Sequence, residues 1–388
     1  MKHLFHTLLL TLLACQSLHA LTPLTADTRS AYNRPRVALV IGGGGAKGAA
    51  AIGALKYVEA SGIPIDMVVG TSAGAIIGGL YAVGYNAEQL DSLYRAQDWI
   101  HLLSDMATPQ WKRWSRVKGI PGVMRGERFT QRLDSLLGRR TCPFDSLPIP
   151  LRCVAVDVRR FSEVTLDSGN VALAIRASMA VPLAFTTVER DSMLLVDGGL
   201  LNNLPVDVAR RMGADIVIAI DLMDAKRATQ ESRGQMHLKG LASILEWQYV
   251  RPDLDKYRVN RADADLLIHP DVEGFHGGSF GDDETLQLIA NGEKAGEEAW
   301  DQLMDIKQRV VPQPARQQRS RRAARRERRQ RSSERRALHF QTADGRFAHK
   351  SAAITPMRSR FFMFYDMFSH LLTSFCFQRL VLCLIFAA

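Results

Sequence analysis

Short apolar runs recur along the chain, and glycine-, asparagine- or proline-rich turns separate them. Arg36–Ile41, Asp66–Val69, Leu151–Val158, Met193–Val196, Asp215–Leu222 and Ala264–Pro270 are rich in Val, Ile and Leu with little polar alternation. Such runs fit strands buried on both faces, as in a parallel sheet covered by helices. Val164–Gly169 reads as a further strand turning at Asp167-Ser168-Gly169. Helical periodicity predicts helices over Ala49–Ser61, Ala73–Tyr85, Glu127–Arg140, Val171–Met179, Val206–Met212 and Leu238–Val250. Thr285–Gln308 alternates charged and apolar residues at helical spacing and is expected to pack one face on the sheet. Gln89–Gly126 is less regular: Trp99, Trp111 and Trp114 interleave with Lys112, Arg113, Arg116 and Lys118. Aromatics beside cations suit a membrane interface, and equally a loop packed on its own domain.

The ends of the chain differ from its middle. Residues 1–20 carry Lys2 and His3, an apolar run Leu8–Leu13 and small residues near Ala20, the pattern of an export signal. Leu12-Leu13-Ala14-Cys15 also resembles a lipobox, which leaves lipidation at Cys15 open. Either reading takes the chain out of the cytoplasm, to periplasm, outer membrane or medium. Residues 21–34 read as a linker, 35–308 as the folded domain and 309–388 as an Arg-rich, disordered tail with an apolar C-terminus. Composition is 46% hydrophobic, enough for a full core. The formal charge of +10 raises the question of nucleic acid, yet Arg316–Arg336 holds eleven arginines against Glu327 and Glu334, a net of +9. The remainder carries +1, and no zinc-finger spacing or stacking motif accompanies the tract, so no specific nucleic-acid partner is expected. The last apolar stretch, Leu380–Ala388, is too short to span a bilayer. Cys142 and Cys153 read as two buried thiols. No metal-ligand spacing or cofactor motif is completed, so no cofactor is expected.

Chemistry concentrates at three turns. Gly70-Thr71-Ser72-Ala73-Gly74 places a serine between a strand and a helix, with Gly70 and Gly74 leaving room for a sharp elbow. Gly42–Gly48 follows the first strand and opens a helix, a geometry that gathers backbone N–H groups toward negative charge. A P-loop would need Ser or Thr after Lys47, where Gly48 stands. A dinucleotide fingerprint fits Gly43, Gly45 and Gly48 but lacks the acidic residue after the second strand. An oxyanion hole facing Ser72 is the better reading, with a tight, ligand-free turn beside it. Asp197-Gly198-Gly199 ends another strand and places a carboxylate where a neighbouring strand's serine lies within reach. Asp157, acidic inside an apolar strand, reads as a satisfied structural carboxylate.

Ser72 and Asp197 are compatible with two systems: a triad completed by His269 or His276, or a dyad in which Asp197 is itself the base. A lipid-binding protein with an inert elbow is a third possibility. The glycine loop, the G-x-S-x-G elbow and the Asp-Gly-Gly turn, in this order, resemble the patatin-like phospholipases over roughly Arg36–Leu222. The resemblance implies a three-layer α/β/α fold with a mainly parallel sheet. It implies Ser72 as nucleophile, Asp197 as base, and Gly43, Gly44, Gly45, Lys47 and Gly48 as the oxyanion loop. It further implies a phospholipid or lysophospholipid substrate met at a membrane surface.

Overall fold

The computed structural model describes residues 34–105, 122–138, 142–224 and 251–311. Contacts group the chain into two units, residues 1–273 with 279–311, and residues 274–278 with 312–388. The expected signal and linker, Trp111 and Trp114 with their cations, the helix Leu238–Val250 and the Arg-rich tail lie outside the described residues.

In chain order the first unit contains β1 (Val37–Ile41), α1 (Gly48–Ser61), β2 (Met67–Thr71), α2 (Ala73–Val83), α3 (Ala87–Arg95), α4 (Trp99–Leu103), β3 (Gly122–Met124) and α5 (Glu127–Leu136). There follow β4 (Leu151–Asp157), β5 (Ser162–Leu166), α6 (Val171–Ser178), β6 (Leu183–Phe185), β7 (Val188–Arg190), β8 (Met193–Asp197) and α7 (Val206–Arg211). β9 (Ile216–Ile220), α8 (Asp253–Asp263), β10 (Leu266–Ile268), α9 (Asp282–Glu298) and α10 (Trp300–Val310) complete it.

β10, β9, β1, β2 and β4 lie side by side, all parallel, while β5, β7 and β8 join antiparallel. β1, β2 and β9 are buried along their whole length, as their unbroken apolar runs predict. α7 and Tyr257 of α8 cover one face, against Ala38, Val40, Met67 and Val69. α2 lies on the other, where an ideal Cβ on Gly78 would come 2.8 Å from a Val68 methyl. Helices on both faces of a mainly parallel sheet give the α/β architecture expected from the strand runs.

Three expectations need correction. Thr285–Gln308 is two helices, and α9 packs on α1 rather than on the sheet. The contact is close because glycines face it: an ideal Cβ would sit 2.1 Å from Ile289 O at Gly53 and 1.9 Å from Ala50 O at Gly292. The stretch from Gln89 is helical at its start, because Asn86 Oδ1 accepts from Gln89 N (2.8 Å) and Gln89 Oε1 accepts from Asn86 N (3.0 Å), a capping box that starts α3. The helix expected to reach Arg140 ends at Leu136.

Candidate active site

The three turns meet because of how β4 is flanked. β4 pairs with β2 through Val68–Thr71 opposite Leu151–Val154, and with β8 through Asp197–Leu195 opposite Ala155–Asp157. β5 occupies the other flank across Cys153–Asp157. β2 and β8 therefore share one flank of β4 and run toward each other, Thr71 stopping opposite Val154 and Asp197 opposite Ala155. Ser72, the next residue after β2, arrives at Asp197 head-on.

Ser72 holds φ 55° and ψ −120°, a backbone state that costs a non-glycine residue on the order of 1–3 kcal/mol. Surrounding bonds fix it there. Ser72 N donates to Ser178 Oγ (2.9 Å), Ser178 Oγ donates to Val154 O (2.6 Å), and Ser178 is fully buried. Gly74 admits the turn, since an ideal Cβ there would lie 2.0 Å from Ile41 O. Gly70, at the end of β2, faces Gly74 at similarly short range.

Asp197 accepts from Gly199 N (2.7 Å), and the register of β2 and β8 on β4 makes Ser72 its neighbour. Burial pushes its carboxyl up to about 6, against the lowering effect of the Gly199 amide and the nearby Ser72 hydroxyl. Gly198 and Gly199 carry the chain away in a single 3-10 turn, and an ideal Cβ on Gly198 would lie 2.3 Å from Val154 O. The serine, the carboxyl and the Val154 carbonyl thus form one tightly packed knot.

The glycine loop borders this knot. Gly43 comes closest to the serine, an ideal Cβ there lying 3.1 Å from Ser72 Cβ and 2.5 Å from Asn203 Oδ1. Its amide is committed to Asn203 O (3.0 Å), while Asn203 Nδ2 donates to Gly43 O (3.1 Å). Lys47 N donates to Gly44 O, and Gly48 N to carbonyls of Gly45 and Ala46. The amides of Gly43, Lys47 and Gly48, all in the expected oxyanion set, thus bond to protein carbonyls. Gly44 and Gly45 make no such backbone bond among the described residues, and they are the loop's half-buried and exposed members. Ser178 and Asn203 are the residues that motif reading missed. A lone serine in a small-residue helix carries no signal apart from packing, and Asn203 is visible only as part of an elaborate turn.

Other candidates lie elsewhere. His269 joins a cluster with buried Asp221 and Tyr257 and half-buried Arg261. Arg261 can only donate, so His269 Nδ1 accepts from it (3.1 Å) and Nε2–H donates to Met223 O (2.6 Å). Both ring nitrogens are spent there. His276 lies in the second unit, where its Nδ1 accepts from Gly278 N. Asp157 is structural: burial would raise its carboxyl, but bonds from Leu194 N, Arg160 and Arg159 N hold it below the usual range. Trp99 packs within its own domain, donating to Tyr94 O (3.0 Å) and stacking on Phe280 at 5.6 Å. Cys142 and Cys153 are buried free thiols.

A strained serine between strand and helix thus sits beside a buried aspartate at the carboxyl edge of a mainly parallel sheet, in an α/β fold. Residues 39–210 match the family model described as Patatin-like phospholipase. The mouse (Mus musculus) protein "Patatin-like phospholipase domain-containing protein 6" is 33% identical over 225 residues, covering 58% of this chain and 16% of its own length. "Uncharacterized NTE family protein Mb1092c" of Mycobacterium bovis is 32% identical over 189 residues, covering 48% of this chain and 49% of its own length. The chain thus matches about a sixth of the mouse relative and about half of the mycobacterial one. Among solved structures, VipD from Legionella pneumophila aligns at a TM-score of 0.43 and 14% identity, over 69% of this chain and 67% of that one.

Proposed function

We propose that this protein is a lipid acyl hydrolase of phospholipase A or lysophospholipase type, acting through a Ser72–Asp197 dyad. The observation that carries the proposal is the strand register that brings Ser72, next after β2, to the end of β8 at buried Asp197, whose carboxyl burial raises to about 6. An aspartate near its usual pKa of about 4 is a poor base, and one raised toward neutrality accepts a proton more readily while still ionised at working pH.

Asp197 takes the Ser72 proton as Oγ attacks the ester carbonyl carbon, and the carbonyl oxygen becomes an oxyanion. The Gly44 and Gly45 amides are the donors open to receive it, each worth roughly 3 kcal/mol in such a role. Collapse expels the alcohol, which leaves with the proton from Asp197, and the acyl group remains on Ser72. Water then gives its proton to Asp197 and its oxygen to the acyl carbon, releasing fatty acid and restoring the serine. His269 is engaged with Arg261 and Met223 O, which favours the dyad over the triad. Lys2, His3 and the Leu8–Leu13 run support export, so the substrate would be met outside the cytoplasm at a membrane surface.

A fluorophosphonate probe is expected to label Ser72 alone, with labelling abolished in Ser72→Ala. Mass spectrometry of products from mixed phospholipid vesicles is expected to show free fatty acid and lysolipid with the wild type only. A folded protein that resists the probe and releases no fatty acid would end the hydrolase reading.

A further inference from the structure

The turn after Asp197 reaches both of the other glycine-bearing turns. Thr71, fully buried, ends β2 immediately before Ser72, and its hydroxyl donates to Asn202 O (2.9 Å). Its methyl packs on the Asp-Gly-Gly turn, lying 3.1 Å from an ideal Cβ on Gly198. The next carbonyl along, Asn203 O, accepts from Gly43 N of the glycine loop (3.0 Å), and Asn203 Nδ2 donates to Gly43 O (3.1 Å). Asn202 N closes the turn on Gly198 O (2.9 Å). Two successive residues thus grip the strand that delivers Ser72 and the loop that borders it.

Asn202 is fully buried, and its side chain fixes the turn to the rest of the fold. Nδ2 donates to Glu163 Oε2 of β5 (3.0 Å) and to Asp207 Oδ1 of α7 (2.8 Å), and Oδ1 accepts from Asn260 Nδ2 of α8 (3.0 Å). Burial would raise the Asp207 carboxyl, but bonds from Lys256, Asn202 and Arg211 bring it down to about 2, so it remains an acceptor at neutral pH. A buried amide with both donors and its acceptor committed holds one geometry, because displacing it leaves polar groups unpaired. We propose that Thr71 and Asn202 are positioning residues that set the spacing of Ser72 from the glycine loop and from Asp197. The proposal rests on Ser72 being the nucleophile and on the loop amides receiving the oxyanion.

The test measures kcat and KM for p-nitrophenyl butyrate, and Ki for an alkyl trifluoromethyl ketone that becomes an oxyanion when Ser72 adds to it. A misplacement of about 1 Å costs roughly a hundredfold in rate. Thr71→Val keeps the branched shape but loses the hydroxyl, so it should lower kcat by about tenfold or more. KM should hold while Ki rises by the factor that kcat falls, because only the transition state and its analogue call on the loop. Thr71→Ser restores the donor and should recover both constants. Asn202→Asp keeps the shape but cannot donate to Glu163 or Asp207, and should move kcat and Ki in the same direction as Thr71→Val. If Asn202→Asp does not fold, the two Thr71 variants still decide. A Thr71→Val protein with a lower urea midpoint but wild-type kcat and Ki, or a loss that Thr71→Ser does not reverse, overturns the positioning role alone. No Ser72-dependent ester cleavage in the wild type overturns the nucleophile and the positioning role together.

Discussion

Replacing Asp197 by Asn should stabilise this protein at neutral pH while abolishing ester cleavage. Burial raises the Asp197 carboxyl from 3.8 to about 6, a difference of about two units, or roughly 3 kcal/mol at about 1.4 kcal/mol per unit. Below pH 3.8 both folded and unfolded chains hold the proton, and the native state carries no penalty. As pH rises through that value the unfolded chain ionises first, and above about 6 the native state must ionise as well, so its stability falls across this window. Asn reproduces the shape: Oδ1 can accept from Gly199 N as the carboxylate does, while Nδ2 would donate to Ser72 Oγ where the carboxylate could only accept. The expected outcome is a variant up to about 3 kcal/mol more stable than the wild type at pH 8, the gain shrinking toward pH 5. Urea unfolding followed by circular dichroism across this range measures it. A variant no more stable at pH 8, or a gain equal at pH 5 and pH 8, would refute the reasoning that burial disfavours this charge.

Ester hydrolysis by the wild type should rise with pH through a midpoint near 6, because only ionised Asp197 accepts the serine proton; a flat kcat/KM profile from pH 5 to 8 contradicts this. Ser178→Ala strips a buried partner from both Ser72 N and Val154 O, at roughly 1–3 kcal/mol each, so it should lower the urea midpoint and reduce kcat together. Wild-type stability and rate in that variant would show that the elbow does not depend on Ser178. His269→Gln should keep most ester cleavage, since the ring's bonds run to Met223 O and Arg261. Loss of activity in a folded His269→Gln protein would restore the triad.

The strands were legible because Val37–Ile41, Met67–Thr71 and Ile216–Ile220 sit in the middle of a covered sheet, where burial on both faces writes an unbroken apolar run. Ser72 and Asp197 were legible because both stand beside glycines that their turns require. α3 and α8 were not, for different reasons. α3 is started by an Asn86–Gln89 capping box rather than by a long apolar stripe. α8 is strongly polar, and Asp253, Leu254, Tyr257 and Asn260 are its buried residues. The bond of the Gly43 amide to Asn203 O was not legible, because it depends on a contact spanning 160 residues.

The meeting of Ser72 and Asp197 depends on a register that other residues fix. A slip of one residue between β8 and β4 would turn Asp197 to the opposite face of the sheet and leave the serine without its partner. Asp157 opposes that slip. Its Oδ1 accepts from Leu194 N (3.1 Å), and Val158 N donates to Leu194 O (3.0 Å), so Leu194 is held from both its backbone groups three residues before Asp197. At the other end Asp197 N donates to Ala180 O (3.0 Å), two residues after Ser178, which itself holds Ser72 N. The structural carboxylate Asp157 therefore bears on the geometry of the Ser72–Asp197 meeting. It fixes where β8 stops, and the stopping point decides which side chain the strained serine meets.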